Sequence, residues 1–243
     1  MRLFRYMSAV ALFDIIMNER LYFHPLHGFE DQWEGVPLER EREALRKFGE
    51  RNHPKDDLMR GVYANLLDLG RSTIWASCWH ESDDESMAMW KIYAGTSQGC
   101  CIVADKAKTI SSLTAEPGLI HFPVQYVDRE SHMGLEVELP ATYHSAQFKD
   151  LAYRFESEYR FLLLGDIALT KTHMPDGSLI TQPDFLASQV RTGRYLRFVL
   201  PVALEQIILS PFLKKHEQDV IKQLIARLLG TSIKVDVSRL LVK

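Results

Sequence analysis

Lys149 to Leu164, KDLAYRFESEYRFLLL, alternates charged and apolar positions with a period of two. That period predicts a strand with Arg154, Glu156, Glu158 and Arg160 on one face and Tyr153, Phe155, Tyr159 and Phe161 on the other. Four charges on one strand face are costly to bury unless they pair with one another or with a ligand. The segment therefore reads either as the floor of a polar cleft or as an exposed face of mutually neutralising side chains.

The same reading predicts the other elements. LFRYM (3–7) is a strand, Ser8 caps a helix over 9–19, and LYFHP (21–25) is a second strand. GFEDQWEG (28–35) is an ordered loop. Residues 37–52 form a solvated, charge-rich helix opened by Pro37, and 54–70 a helix ending at Gly70. STIWASCW (72–79) is a strand, followed by a helix over 84–94 capped by Asp83 or Asp84 and a strand over 99–105. LIHFPVQYVD is another strand, 141–152 a short helix or turn, and 171–189 a long surface loop. GRYLRFVLP and IILSP are strands, FLKKHEQDVIKQLIARLLG an amphipathic helix and SIKVDVS a last strand. Strands outnumber helices without strict alternation, which predicts a single α+β domain over residues 1–243, with a mixed or largely antiparallel sheet flanked by helices.

A length of 243 residues and an apolar share of 46% suit a fold with a sizeable core. The net charge of −3 and pI near 6.3 leave no overall basic excess for a nucleic-acid backbone. Three cysteines, Cys78, Cys100 and Cys101, lack metal-ligand spacing, and the adjacent pair must face opposite sides of a strand. The N-terminal apolar run is cut by Asp14, unlike a signal peptide or membrane span, so a cytoplasmic protein is expected. Oligomeric state leaves no mark in the sequence.

Glycine-rich phosphate loops and HExxH are missing from the sequence. His24 and His27 read as loop histidines separated by a proline, and no metal ligand is assigned. Met87, Trp90 and Tyr93 fall on one side of a helix. That stripe either faces the core or, through Trp90 and Tyr93, offers aromatic faces to a ligand ring.

These pieces resemble a bacterial family known as domain of unknown function 2971. The matching residues are Leu3, Phe4, Arg5 and Tyr6; Phe29, Asp31 and Glu34; Met89, Trp90, Tyr93 and Gly99; and Lys149, Glu156, Glu158 and Arg160. The similarity runs from residue 3 to about residue 228. Where the family has a loop asparagine and proline this chain has Glu30 and Gln32, and Tyr153 and His80 replace its Trp and small polar residue.

Arg5 on a first strand, Ser77 on a middle strand and Glu156/Glu158 on a late one also resemble the arginine, serine and glutamate of mono-ADP-ribosyltransferases. That resemblance implies an ADP-ribosyltransferase-like fold and NAD as substrate. Arg5 would hold the pyrophosphate, Trp90 or Tyr93 would stack on nicotinamide, Glu158 would stabilise the cationic sugar and Glu156 would orient the acceptor or act as base. Tyr6, Asp31, Lys149 and Arg160 complete the expected ligand-binding set around a small nucleotide-like ligand. Two alternatives stay open: a non-catalytic module that binds a ligand or partner, and a hydrolase or nuclease whose Asp31, Glu34, Glu156 and Glu158 gather around magnesium or manganese.

Overall fold

The computed structural model describes residues 1–29, 31, 34–36, 39–57, 59–64, 73–95, 99–128, 145–165, 169–173, 179–183 and 192–240. Strands are β1 (Arg2–Ser8), β2 (Arg20–Pro25), β3 (Ile74–Ser82), β4 (Gly99–Asp105), β5 (Leu119–Pro123), β6 (Gln125–Val127), β7 (Phe148–Asp150), β8 (Glu158–Leu164), β9 (Leu169–His173), β10 (Leu179–Pro183), β11 (Arg194–Arg197), β12 (Leu204–Leu209) and β13 (Val235–Val237). Helices are α1 (Ala9–Asn18), α2 (Glu39–Asn52), α3 (Met87–Tyr93), α4 (Lys106–Leu113), α5 (Leu200–Ala203) and α6 (Lys215–Leu229). The architecture is α+β, as expected, with nine strands in one mixed sheet whose pairs are antiparallel except β12–β13.

The sheet forks at β3. One edge of β3 pairs with β8 from Ile74–Leu164 to His80–Glu158, and β8 pairs in turn with β5. The other edge is shared: β1 takes His80 to Ser82, and β2 takes Trp75 and Ala76. Ser77, Cys78 and Trp79 lie between the two branches, where neither strand pairs with them. Beyond the fork β1 continues to β4, β12 and β13, whereas β2 continues to β11.

Alternation along the strands makes two faces. Leu3, Met7, Trp75, Trp79, Cys100, Ile102, Tyr159 and Phe161 pack against α1, α4 and α6 in the main core. On the opposite face Phe4, Tyr6, Cys101 and Val103 pack under Met89 and Trp90 of α3, and Ile74, Ala76 and Leu162 under Leu26 and Ala146. Cys100 and Cys101 do point to opposite faces, and both are free thiols. The site lies between these two smaller cores.

Local chemistry explains most boundaries. Ser8 caps α1, its Oγ accepting from the Ala11 N–H at 3.2 Å. The helix leaves through Glu19 in the left-handed region. Helix α2 is the solvated helix expected, with Lys47–Glu43 and Arg46–Glu50 pairs at i,i+4. No helix among the described residues is long and apolar enough to cross a membrane.

Several sequence expectations are corrected. Ser86, not Asp83 or Asp84, caps α3. The strand expected over 119–128 breaks at Val124, whose N–H donates to the Glu158 carbonyl. The surface loop expected over 171–189 contains the pairing of β9 with β10. Of the helix expected over 54–70, residues 57 and 59–64 are helical, and 58 and 65–70 lie outside the described residues. The largest correction concerns KDLAYRFESEYRFLLL. Lys149 belongs to β7, Leu151–Glu156 is a 3-10 helix, and the strand starts only at Glu158. Arg154 is exposed and does not join Glu156, Glu158 and Arg160.

Candidate functional site

Ser157 makes the site from that broken strand. Its φ of 41° places a non-glycine residue in the left-handed region, a strained conformation that turns the chain sharply between the 3-10 helix and β8. Glu156 and Glu158, on either side of the turn, converge on one cation. Lys149 Nζ donates to Glu156 Oε2 at 2.5 Å and to Glu158 Oε2 at 3.3 Å, and lies 3.4 Å from Glu34 Oε2. Lys149 arrives through the parallel pairing of β7 with β6, opposite Tyr126. The Tyr126 hydroxyl accepts from the Glu158 N–H at 2.7 Å.

Arg160, fully buried, holds the other side of Glu158. Its Nε donates to Glu158 Oε1 at 2.5 Å, Nη2 to Glu158 Oε2 at 3.0 Å and also to Glu34, and Nη1 to the Ala146 carbonyl at 2.7 Å. Arg160 is therefore an organiser beneath the site and does not line the cavity. Glu34 enters from the loop after β2, where its N–H donates to the Asp31 carbonyl at 3.0 Å.

Three buried carboxylates thus share two buried cations. Burial disfavours the Glu158 carboxylate, but Arg160 and Lys149 outweigh it and hold Glu158 down at about 2. Burial likewise opposes the Lys149 ammonium, and Glu158, Glu34 and Glu156 overcome it and raise Lys149 above its ordinary range. For Tyr93, burial and the hydrogen bond its hydroxyl donates to Glu156 Oε1 at 2.6 Å both push the phenol up.

A cavity of about 440 Å³ opens beside this network. Glu156, Glu158, Lys149 and Tyr93 line one end, with His80 beside them, and Tyr22, His24, Gly28 and Phe29 line the other. The His80 Nδ1–H donates to the Glu156 carbonyl at 2.5 Å. Arg5 stands in the fork between the two ends. Its guanidinium donates to Ser77 Oγ and, at 3.3 Å, to the Tyr22 carbonyl, and lies 5.4 Å from the Trp79 ring centroid. Among the described residues Arg5 has no carboxylate within ion-pair distance. Burial lowers its guanidinium to about 10, against the opposing influence of the Cys78 thiol.

The expected site residues separate into two groups. Arg5, Tyr6, Tyr93, Lys149, Glu156 and Glu158 line one cavity, and Ser77 touches it through Arg5. Trp90 does not: it is fully buried edge-on to Tyr6 at 5.0 Å, its indole N–H donating to Glu85. Asp31 also lies off the cavity, close enough to Tyr153 to raise its phenol. Sequence reasoning passed over Tyr22, Cys78 and Tyr126 as site residues, and it read His24 as a loop histidine although the strand it expected over 21–25, observed as β2, contains His24. The alternation of β2 was the signal that could have found His24, since Tyr22 and His24 stand among the buried Leu21, Phe23 and Pro25.

No family model matches the chain, and no curated protein matches it.

Proposed function

We propose that the cavity binds a ribose-phosphate ligand of the NAD type and that the protein is an ADP-ribosyltransferase-like enzyme cleaving the nicotinamide glycosidic bond. The observation that carries this reading is Arg5, a cation without a carboxylate partner among the described residues, set in one cavity with Glu156 and Glu158. An anion at Arg5 and hydroxyl donors at the carboxylates are the complementary ligand groups. The cavity volume lies in the range of small-molecule sites. The resemblance to the domain of unknown function 2971 family belongs to the same proposal, as does a cytoplasmic location.

In this reading the bond from ribose C1′ to the pyridinium nitrogen breaks with its electron pair going to nitrogen, so nicotinamide leaves neutral. Positive charge passes to the sugar. Glu158, ionised down to about 2, stabilises that charge and accepts from a ribose hydroxyl. Glu156 takes the proton of the attacking hydroxyl or water, with Lys149 and Tyr93 fixing the carboxylate. Tyr93, about half exposed at 45%, is the ring left to meet nicotinamide once Trp90 is committed to the core.

One observation favours a module that binds without turnover: both Glu158 oxygens are already held by Arg160 and Lys149. The metal-dependent alternative is less well supported, because Lys149 and Arg160 occupy the carboxylate oxygens a divalent ion would need. Incubation with NAD and chromatographic detection of free nicotinamide tests the proposal. Release that Glu158→Gln abolishes supports the enzyme. Ligand binding without release, with or without magnesium, would leave the binding module.

A further inference from the structure

The end of the cavity away from the carboxylates has its own chemistry. Ala76 and His80 of β3 are four residues apart along an extended strand, roughly 13 Å. His24 pairs opposite Ala76, whereas Glu158 pairs opposite His80. Arg5 stands in the fork between these positions.

Tyr22, His24 and Phe29 form a cluster of rings at that end. The His24 ring meets Phe29 edge-on at 5.1 Å and Tyr22 edge-on at 6.0 Å. Gly28 leaves the space: a Cβ there would fall 2.7 Å from His24 Cε1. The His24 Nδ1 faces the Pro25 carbonyl at 2.9 Å, and a carbonyl can only accept, so Nδ1 carries a proton. In the neutral imidazole Nε2 is then an acceptor, and among the described residues nothing donates to it.

We infer that the Tyr22, His24 and Phe29 end of the cavity is a seat for a planar nitrogen heterocycle, whose exocyclic N–H donates to His24 Nε2 while the attached phosphate lies at Arg5. The inference rests on the ribose-phosphate reading for the link between ring and phosphate, but requires no bond cleavage. An adenine amino group and a nicotinamide carboxamide share this donor chemistry; adenine is the occupant that agrees with nicotinamide at Tyr93, and nicotinamide at this end would place its glycosidic bond away from Glu158.

Calorimetric titration with two matched pairs of mononucleotides separates these sources. AMP is compared with purine riboside 5′-monophosphate, which lacks the amino group. Nicotinamide mononucleotide is compared with nicotinic acid mononucleotide, which carries a carboxylate in place of the amide. The N–H-bearing member of at least one pair is expected to bind roughly tenfold more tightly, the effect of one directed hydrogen bond. His24→Phe, which keeps a ring but removes the acceptor, is expected to erase that preference. Gly28→Ala is a second variant that displaces the imidazole, and it is expected to do the same.

Equal affinity within both pairs, binding of none of the four probes at millimolar concentration, or a preference that survives both variants would overturn the inference. Nicotinamide release from NAD by the same preparations separates the two claims. Discrimination without release leaves the seat and removes the transferase reading; release without discrimination removes the seat alone.

Discussion

Arg160→Met removes a fully buried guanidinium and leaves its partners in place. Glu158 loses two charge-assisted hydrogen bonds, Glu34 loses one and the Ala146 carbonyl loses its donor. Lys149 alone then faces Glu34, Glu156 and Glu158. Breaking a buried ion pair from one side costs about 3–5 kcal/mol, a large part of a typical total stability of about 5–15 kcal/mol. For a chain of this size that corresponds to a fall of roughly 10 °C in melting temperature.

The pH dependence makes the test sharper. In the native protein Glu158 is depressed from its ordinary 4.5 to about 2, so its contribution to stability is present above pH 4.5 and is lost as pH falls from there through about 2. In Arg160→Met burial outweighs the remaining cation and raises the carboxyl, so the variant carries a penalty at neutral pH that protonation relieves. The gap between the two proteins must therefore narrow from pH 7 to pH 3. Urea denaturation at pH 7, 5 and 3 measures it. A gap below about 1 kcal/mol at pH 7, or one that stays constant with pH, would refute the reasoning.

Trp90→Ala is expected to destabilise by about 3–5 kcal/mol in the same denaturation assay, because Trp90 fills the core under α3 and is not a ligand contact. Tyr93→Phe, on a half-exposed ring, is expected to cost about 1 kcal/mol or less in stability while weakening turnover or ligand binding through the lost Glu156 contact. Ser157→Val is expected to lower stability by about 1–2 kcal/mol and Ser157→Gly to preserve or raise it, since glycine alone adopts φ near 41° freely. Burial, with Glu158 adding to it, pushes the Cys78 thiol well above its ordinary value, so alkylation of Cys78 at pH 8, followed by mass spectrometry, should be slow until the protein is unfolded.

Local patterns made much of the fold legible. The short apolar runs in LFRYM and GCCIVAD and the Ser8 cap marked β1, β4 and α1, because each depends on neighbours in sequence. The charged segment was harder: two residues apart means the same face in a strand, but Glu156 and Glu158 converge through the left-handed turn at Ser157, which period-two counting does not register. Trp90 illustrates the limit of a helical stripe. Its burial depends on Tyr6 and Phe4 from β1, 84 and 86 residues away, which no local pattern reports. The fork at Ser77–Trp79 is likewise set by which strands pair with β3, a long-range choice, although the Arg5 that fills it was visible from the first strand.

A thermal-shift titration of the purified protein with NAD and ADP-ribose, run beside Arg5→Ala, bears most directly on the ribose-phosphate site. Ligand that binds only the native state raises the midpoint as its concentration exceeds the dissociation constant. A rise with either compound that Arg5→Ala abolishes is the expected result. No rise with either at millimolar concentration, or an equal rise in Arg5→Ala, would contradict the assignment of this cavity.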